Sequence, residues 1–258
     1  MRKSRGTQTP SFQGIANFLP LFGRAATETQ AATLSEKVYR ALKRDIIRCI
    51  YHPGEALSEK VLTLKYKSSR TPVREAIVRL EQERLLQIVP DRGYFVNQLT
   101  LQEVNDIYEF RTAVECLTAD RAAKNGVDPE SAKQLAEYAQ ATYTDGDAES
   151  YGRFIGADTA FHVNIARLSR NQMLLRAVVD ARTQMERIMY AAINVHYYGD
   201  SAWREHQQIL KAIHERNPDQ ARRLMYEHII QSKAEILGMA SEEPRRLSHG
   251  RKRNHHRR

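Results

Sequence analysis

The segment Ser69-Arg-Thr-Pro-Val-Arg-Glu-Ala-Ile-Val-Arg-Leu80 constrains this chain more than any other. Val73, Ala76, Ile77 and Leu80 recur at i, i+3, i+4 and i+7, which places them on one apolar stripe of a helix. Thr71 is an N-cap residue type, and Pro72 suits the first helical position, where its missing N–H would be unpaired in any case. Arg70 and Arg74 are left at the exposed amino end, the end that a recognition helix turns toward base edges and phosphates. Alone, the segment is equally compatible with an ordinary amphipathic helix carrying solvated arginines. The flanks decide.

Upstream, Thr33-Leu-Ser-Glu36 has capping-box spacing. Val38, Leu42 and Ile46 follow at helical intervals, with Ile47 and Ile50 widening the face, until Pro53-Gly54 stops the helix. A second helix is expected from Ser58 to Lys67-Ser68, with Leu57, Val61 and Leu64 facing inward. Downstream, Leu85 to Val89 is a short apolar run, Pro90-Asp91-Arg92-Gly93 is turn chemistry, and Tyr94-Phe95-Val96 reads as a returning strand. Three helices and a β-hairpin predict a winged helix-turn-helix over residues 31–99.

This region resembles the DNA-binding domain of the GntR family of bacterial transcription regulators. The resemblance rests on Pro-Gly-x-x-Leu-Ser-Glu at 53–59, on Ser69 through Ala76, and on Arg92-Gly93-Tyr94-Phe95-Val96. It implies double-stranded DNA as partner, with Arg70 and Arg74 on bases or phosphates and Ser69 and Thr71 supporting the backbone contact. Arg92 and Gly93 would lie in the wing near the minor groove. Lys60 stands where the family usually has arginine; it keeps the charge but lacks the bidentate fork, so a phosphate contact is expected of it. Lys67 and Arg84 stand where the family often has glycine, which makes those two turns the places where local geometry can depart.

Charge follows the same division. Lys and Arg outnumber Asp and Glu by 13 to 8 over residues 31–99, and are outnumbered 16 to 22 over 100–243. The folded region's basic part is thus the winged helix, as a footprint on phosphates requires, and the acidic remainder is no nucleic-acid surface. Residues 1–30 lack periodicity and read as a disordered extension in which Phe18-Leu19-Pro20-Leu21-Phe22 is an isolated apolar cluster. Residues 244–258, with 7 basic and no acidic residues, read as a disordered tail able to add nonspecific phosphate affinity. No apolar run approaches a membrane span and no signal peptide is evident, so no membrane partner is expected. The two cysteines, Cys49 and Cys116, fall in predicted helices, which fits a reducing cytoplasm rather than a disulfide framework.

From Leu101 onward helical segments follow one another, at 101–125, 129–143, 148–169, 171–197, 200–216 and 218–239. The predicted fold is therefore mainly α: a winged helix-turn-helix followed by an antiparallel six-helix bundle over 100–243. Asp158 and His162, four apart, share one helical face. His206 and His228 stand 11 residues either side of Asn217, so an antiparallel pair turning there sets both rings at one height. One carboxylate and three imidazoles would then converge, a set suited to a divalent ion such as zinc, nickel, iron or manganese.

Residues 101–240 resemble the FCD effector domain of the FadR subgroup of GntR regulators, through Arg111-x-x-x-Glu115, Asp158-x-x-x-His162, Ser169-Arg170-Asn171, Glu205-His206 and Glu227-His228. Many members bind a divalent metal with one Asp and three His, and Asp158, His162, His206 and His228 match those positions. A six-helix count is nearer the VanR-like branch. The resemblance also implies a small carboxylate effector beside the metal, held by Arg111, unless Arg111 instead pairs with Glu115 along its own helix. Asn171 either lines that pocket or caps the next helix. The expected function is a homodimeric, ligand-responsive regulator, not an enzyme, whose two winged helices meet a pseudo-palindromic operator, with repression the commoner outcome in such families. A metal-dependent enzyme fused to a DNA-binding module is the alternative, and it lacks a general base at motif-like spacing.

Overall fold

A computed structural model of the chain describes residues 33–144, 146–192 and 202–238. The extension at 1–30, the tail at 244–258 and the aromatic run His196-Tyr197-Tyr198 lie outside them.

The first unit comprises α1 (Leu34–Ile47), β1 (Ala56–Leu57), α2 (Glu59–Lys65), α3 (Arg70–Gln82), β2 (Leu86–Val89) and β3 (Gly93–Val96). β3 lies between the other two strands and is antiparallel to both, with Ile88 opposite Tyr94 and Leu57 opposite Tyr94 on its other edge. Asp91 and Gly93 carry positive φ in the turn between β2 and β3, with φ +99° at Gly93. The α3 stripe packs as its spacing requires: Val73, Ala76, Ile77 and Leu80 are buried with Leu42, Ile46 and Leu62 in one core.

Four local expectations change. α3 begins two residues earlier, with Ser69 in the N-cap position, so Pro72 stands third rather than first; it is still among the four positions whose N–H has no helical partner. α1 ends at Ile47, and Cys49 sits just beyond it at φ +54°, leaving Ile50 exposed. In α2 the inward residue is Leu62, while Val61 and Leu64 are 54% and 71% exposed. Leu57 is buried, but from β1; seven residues are too few for periodicity to set the phase of α2. Lys67 and Arg84 keep left-handed backbone, with φ +48° and +58°, the conformation glycine would take there without the cost of a Cβ.

At Thr33 the hydroxyl caps the Glu36 N–H, but the Glu36 carboxylate turns to Arg40 and Arg79. The reciprocal capping box forms instead at Thr100 and Glu103, where it starts the next helix.

The second unit contains α4 (Leu101–Asn125), α5 (Pro129–Ala139), α6 (Ala148–Leu168), α7 (Gln172–Ala191), α8 (Ala202–His214) and α9 (Pro218–Ile236). These six helices, among the described residues, surround a core that includes Tyr108, Phe154, Phe161, Met185, Ile209, Ile213 and Met225. α4 packs along α9, α8 pairs with α9, and α4, α6 and α7 pack mutually against one another. No helix among the described residues is long and apolar enough to cross a membrane.

Candidate metal centre and nucleic-acid interface

Asn217 accepts the Gln220 N–H and, with Pro218 beside it, starts α9 immediately after α8 ends. The resulting pair brings His206 and His228 to one level, and α6 supplies Asp158 and His162 from across the bundle. One ligand atom from each of the four residues lies within 4.8 Å of every other, and all four residues are buried. His162 Nε2 is 3.2 Å from His228 Nε2 and 3.8 Å from Asp158 Oδ1; His206 Nε2 is 3.5 Å from the same oxygen. Ligand atoms around one ion at ~2.1 Å sit roughly 3.0–3.4 Å apart, so the four atoms are already close to a coordination shell.

The partners of these groups decide their protonation. The His228 Nδ1–H donates to Glu205 Oε2 at 2.7 Å, and His162 Nδ1 meets Glu115 Oε2 at 2.6 Å. Burial drives all three imidazoles toward the neutral form, lowering His228 to about 3. With Nδ1 carrying the proton, the Nε2 lone pairs of His162 and His228 face each other. Asp158 Oδ1 and His206 Nε2, pointing into the same space, have no hydrogen-bond partner. Two facing imidazole nitrogens, a carboxylate oxygen and the His206 Nε2 make a buried, donor-rich set that a cation standing between them would satisfy. The residues fit a divalent metal.

Around this centre the charges are paired. Asp158 Oδ2 accepts from the Arg182 guanidinium, which also reaches Thr159 Oγ1 at 3.3 Å. Although burial alone would raise its pKa, Asp158 is held below the usual carboxylate range by the charge of Arg182. Arg111 donates to Glu115 through Nε at 2.6 Å and Nη2 at 3.4 Å, both side chains being buried. Burial opposes ionisation of Glu115 too, but Arg111 and His162 outweigh it. Asn171 is exposed and caps α7, its Oδ1 accepting from the Met173 and Leu174 N–H groups. An open cleft of about 280 Å³ lies between α8 and α9, with Glu205 and Glu227 on its wall and His228 the one of the four clustered residues that lines it.

Glu115, Arg182 and Glu205 are the supporting residues that sequence reasoning did not assign to the centre. A signal existed for Arg182: it stands in the apolar stripe Val178, Ala181, Met185, Met189, where an unpaired guanidinium could not be buried.

At the other end of the molecule, Lys60, Ser69, Arg70, Thr71, Arg74 and Arg92 are all exposed. Ser69, Arg70, Thr71 and Arg74 share the amino end of α3, Lys60 lies in the first turn of α2, and Arg92 and Gly93 form the tip between β2 and β3. Arg74 is not loose on this face: its guanidinium forks onto Glu59, which also accepts the Tyr94 hydroxyl.

Known proteins place this architecture. Residues 34–96 match the family described as bacterial regulatory proteins, gntR family, and residues 106–231 match the FCD domain. The chain is 29% identical to the HTH-type transcriptional repressor RspR of Escherichia coli K12, over 76% of its own length and 86% of the relative's. It is 30% identical to an HTH-type transcriptional regulator from an unstable DNA locus of Streptomyces ambofaciens, over 78% of this chain and 84% of that one. The solved structure of E. coli McbR/YncC shares the fold, with a TM-score of 0.67 at 19% identity over 81% of this chain and 99% of the other. These family matches and curated relatives are transcriptional regulators, not enzymes, and the chain belongs to the GntR family of DNA-binding transcriptional regulators, with an FCD domain behind its winged helix.

Proposed function

We propose that this protein is a homodimeric, cytoplasmic repressor whose grip on a pseudo-palindromic operator depends on a divalent metal and a small carboxylate effector. The observation carrying the metal is the buried convergence of Asp158 Oδ1 and three imidazole Nε2 atoms, of which Asp158 Oδ1 and His206 Nε2 have no hydrogen-bond partner. Zinc suits the donor set best, with nickel, iron and manganese compatible. Held by Asp158 and the three histidines, a divalent ion would supply a positive charge that attracts a carboxylate. Glu115 and Glu205 orient the imidazoles, and Arg111 stands one residue removed from the metal ligands, ready to attract an anion through or in place of its bond to Glu115. Asn171 is assigned to effector binding on the resemblance alone, since its side chain is engaged as the cap of α7.

On DNA, Arg70 and Arg74 are assigned to base edges or phosphates, Ser69 and Thr71 to the backbone, Lys60 to a phosphate, and Arg92 with Gly93 to the minor groove beside the wing. The effector must favour one of the two arrangements of paired winged helices, or it changes nothing. That RspR is named as a transcriptional repressor supports repression as the reading for this chain, with the effector releasing DNA.

Elemental analysis of the purified chain is expected to find about one divalent ion per protomer, lost when His206 and His228 are both replaced by Ala. Full occupancy in that variant would sink the centre. A thermal-shift screen of organic acids on zinc-loaded protein identifies the effector, because a true one raises stability by mass action. A monomeric mass in solution, with and without operator, would remove the dimer.

A further inference from the structure

We infer that Arg182 is a positioning residue of the metal centre, and that α7, which carries it, ties the state of that centre to the recognition helix and the wing. The inference rests on the metal reading above and adds to it a route.

On its inner face α7 reaches the centre. Arg182 is buried and donates to Asp158 Oδ2, which turns Oδ1 toward His162 and His206. Arg182 also bonds Thr159, so a single guanidinium holds two residues of one turn of α6. The bond to Asp158 has no solvent to replace it, so a displacement of Asp158 is passed to α7 rather than absorbed.

On its outer face α7 reaches the DNA-binding unit. At 3.6 residues per turn, Gln184 and Arg187 project well away from Arg182. Gln184 Nε2 donates at 3.3 Å to the carbonyl of Glu83, the residue that ends α3. The Arg187 guanidinium donates to the carbonyl of Asn97, the residue that follows β3. The Arg187 carbonyl in turn lies 3.9 Å from Cys49 Sγ, just beyond α1. One helix thus holds the carboxyl end of the recognition helix, the exit of the wing and a metal ligand. Arg182 and Arg187 are separated along its axis by only about 7.5 Å, a span over which a helix is rigid. A shift of α7 would strain bonds on both of its faces at once, and differential contacts of that kind are what a coupling free energy requires.

Hydrogen exchange on the full chain, titrated with zinc alone, tests the route. Zinc is expected to slow exchange at residues 158–162 and also at 80–99 in the wild type. In Gln184→Ala, zinc uptake and the slowing at 158–162 stay as in the wild type, and the slowing at 80–99 shrinks. In Arg182→Met, zinc affinity falls, the slowing at 158–162 returns at saturating zinc, and the slowing at 80–99 is lost. Equal slowing at 80–99 in all three proteins would overturn the route, as would zinc bound to the wild type with no change at 80–99. Failure of the wild type to take up zinc would overturn the metal reading itself, and the role of Arg182 with it.

Discussion

The Glu59 carboxylate grips the Arg74 guanidinium through two hydrogen bonds, from Nε at 2.7 Å and from Nη2 at 3.2 Å. The same carboxylate accepts the Tyr94 hydroxyl at 2.7 Å, so one side chain at the start of α2 fixes an arginine of α3 and a tyrosine of the wing. Arg74 is nonetheless 61% exposed in its side chain. A guanidinium held by two of its five donors keeps others for a base edge, and its orientation is set before DNA arrives.

Arg74→Ala is therefore expected to weaken operator binding roughly ten- to hundredfold and to relax preference at one base pair. Glu59→Gln, which keeps the shape but loses the charge that aligns the fork, should cost less and in the same direction. Anisotropy titrations on a site selected from random duplexes, compared with bulk random DNA, separate base reading from phosphate contact. Equal losses on both would assign Arg74 to phosphate alone.

Glu205→Gln should lower metal affinity about ten- to hundredfold, the usual effect of removing a carboxylate that orients a ligating imidazole. Glu205 is partly exposed, so its loss should leave thermal stability of the metal-free protein nearly unchanged. Competition with a chromophoric chelator measures the affinity; an unchanged value would show that Glu205 belongs only to the cleft.

Arg111→Ala should destabilise the bundle by about 3–5 kcal/mol, because it leaves the Glu115 carboxylate buried without its counter-charge. Urea unfolding of metal-free protein reads this directly. A loss below about 1 kcal/mol would mean the ion pair is dispensable for folding and would favour an arginine kept chiefly for effector.

Acid should weaken the metal-free chain early. The folded pKa values of His162, His206 and His228 lie below the ordinary 6.5, that of His228 at about 3, because burial opposes the charged ring. Below 6.5 the unfolded chain takes up protons that the folded chain refuses, so stability falls as pH drops from 6.5 toward 3. The slope is about 1.4 kcal/mol per pH unit for each histidine kept neutral. Melting curves of chelator-treated protein at about pH 7.5 and about pH 5.5 should differ accordingly, and a constant melting temperature would contradict this protonation scheme.

Much of this was legible in one dimension. The stripe from Val73 to Leu80 names its own buried face, and all four members lie in the core. Asn217-Pro218 signals a turn at equal distance from His206 and His228, which sets their common height without any coordinates. Reading failed where the element was too short or the partner too remote. α2 has a single buried residue, Leu62, and a pattern borrowed from Leu57 in the neighbouring strand pointed to Val61 and Leu64 instead.

By itself, then, the sequence determined the helical faces, the order of elements and the residue types that gather at the bundle's centre, because period and turn chemistry act over a few residues. Tertiary packing decided the pairing of charges: Glu59 with Arg74 across 15 residues, Asp158 with Arg182 across 24, and Gln184 with Glu83 across 101. Those pairings depend on how each helix is rotated and tilted against its neighbours. Such angles follow from the summed packing of whole faces, and no local spacing encodes them.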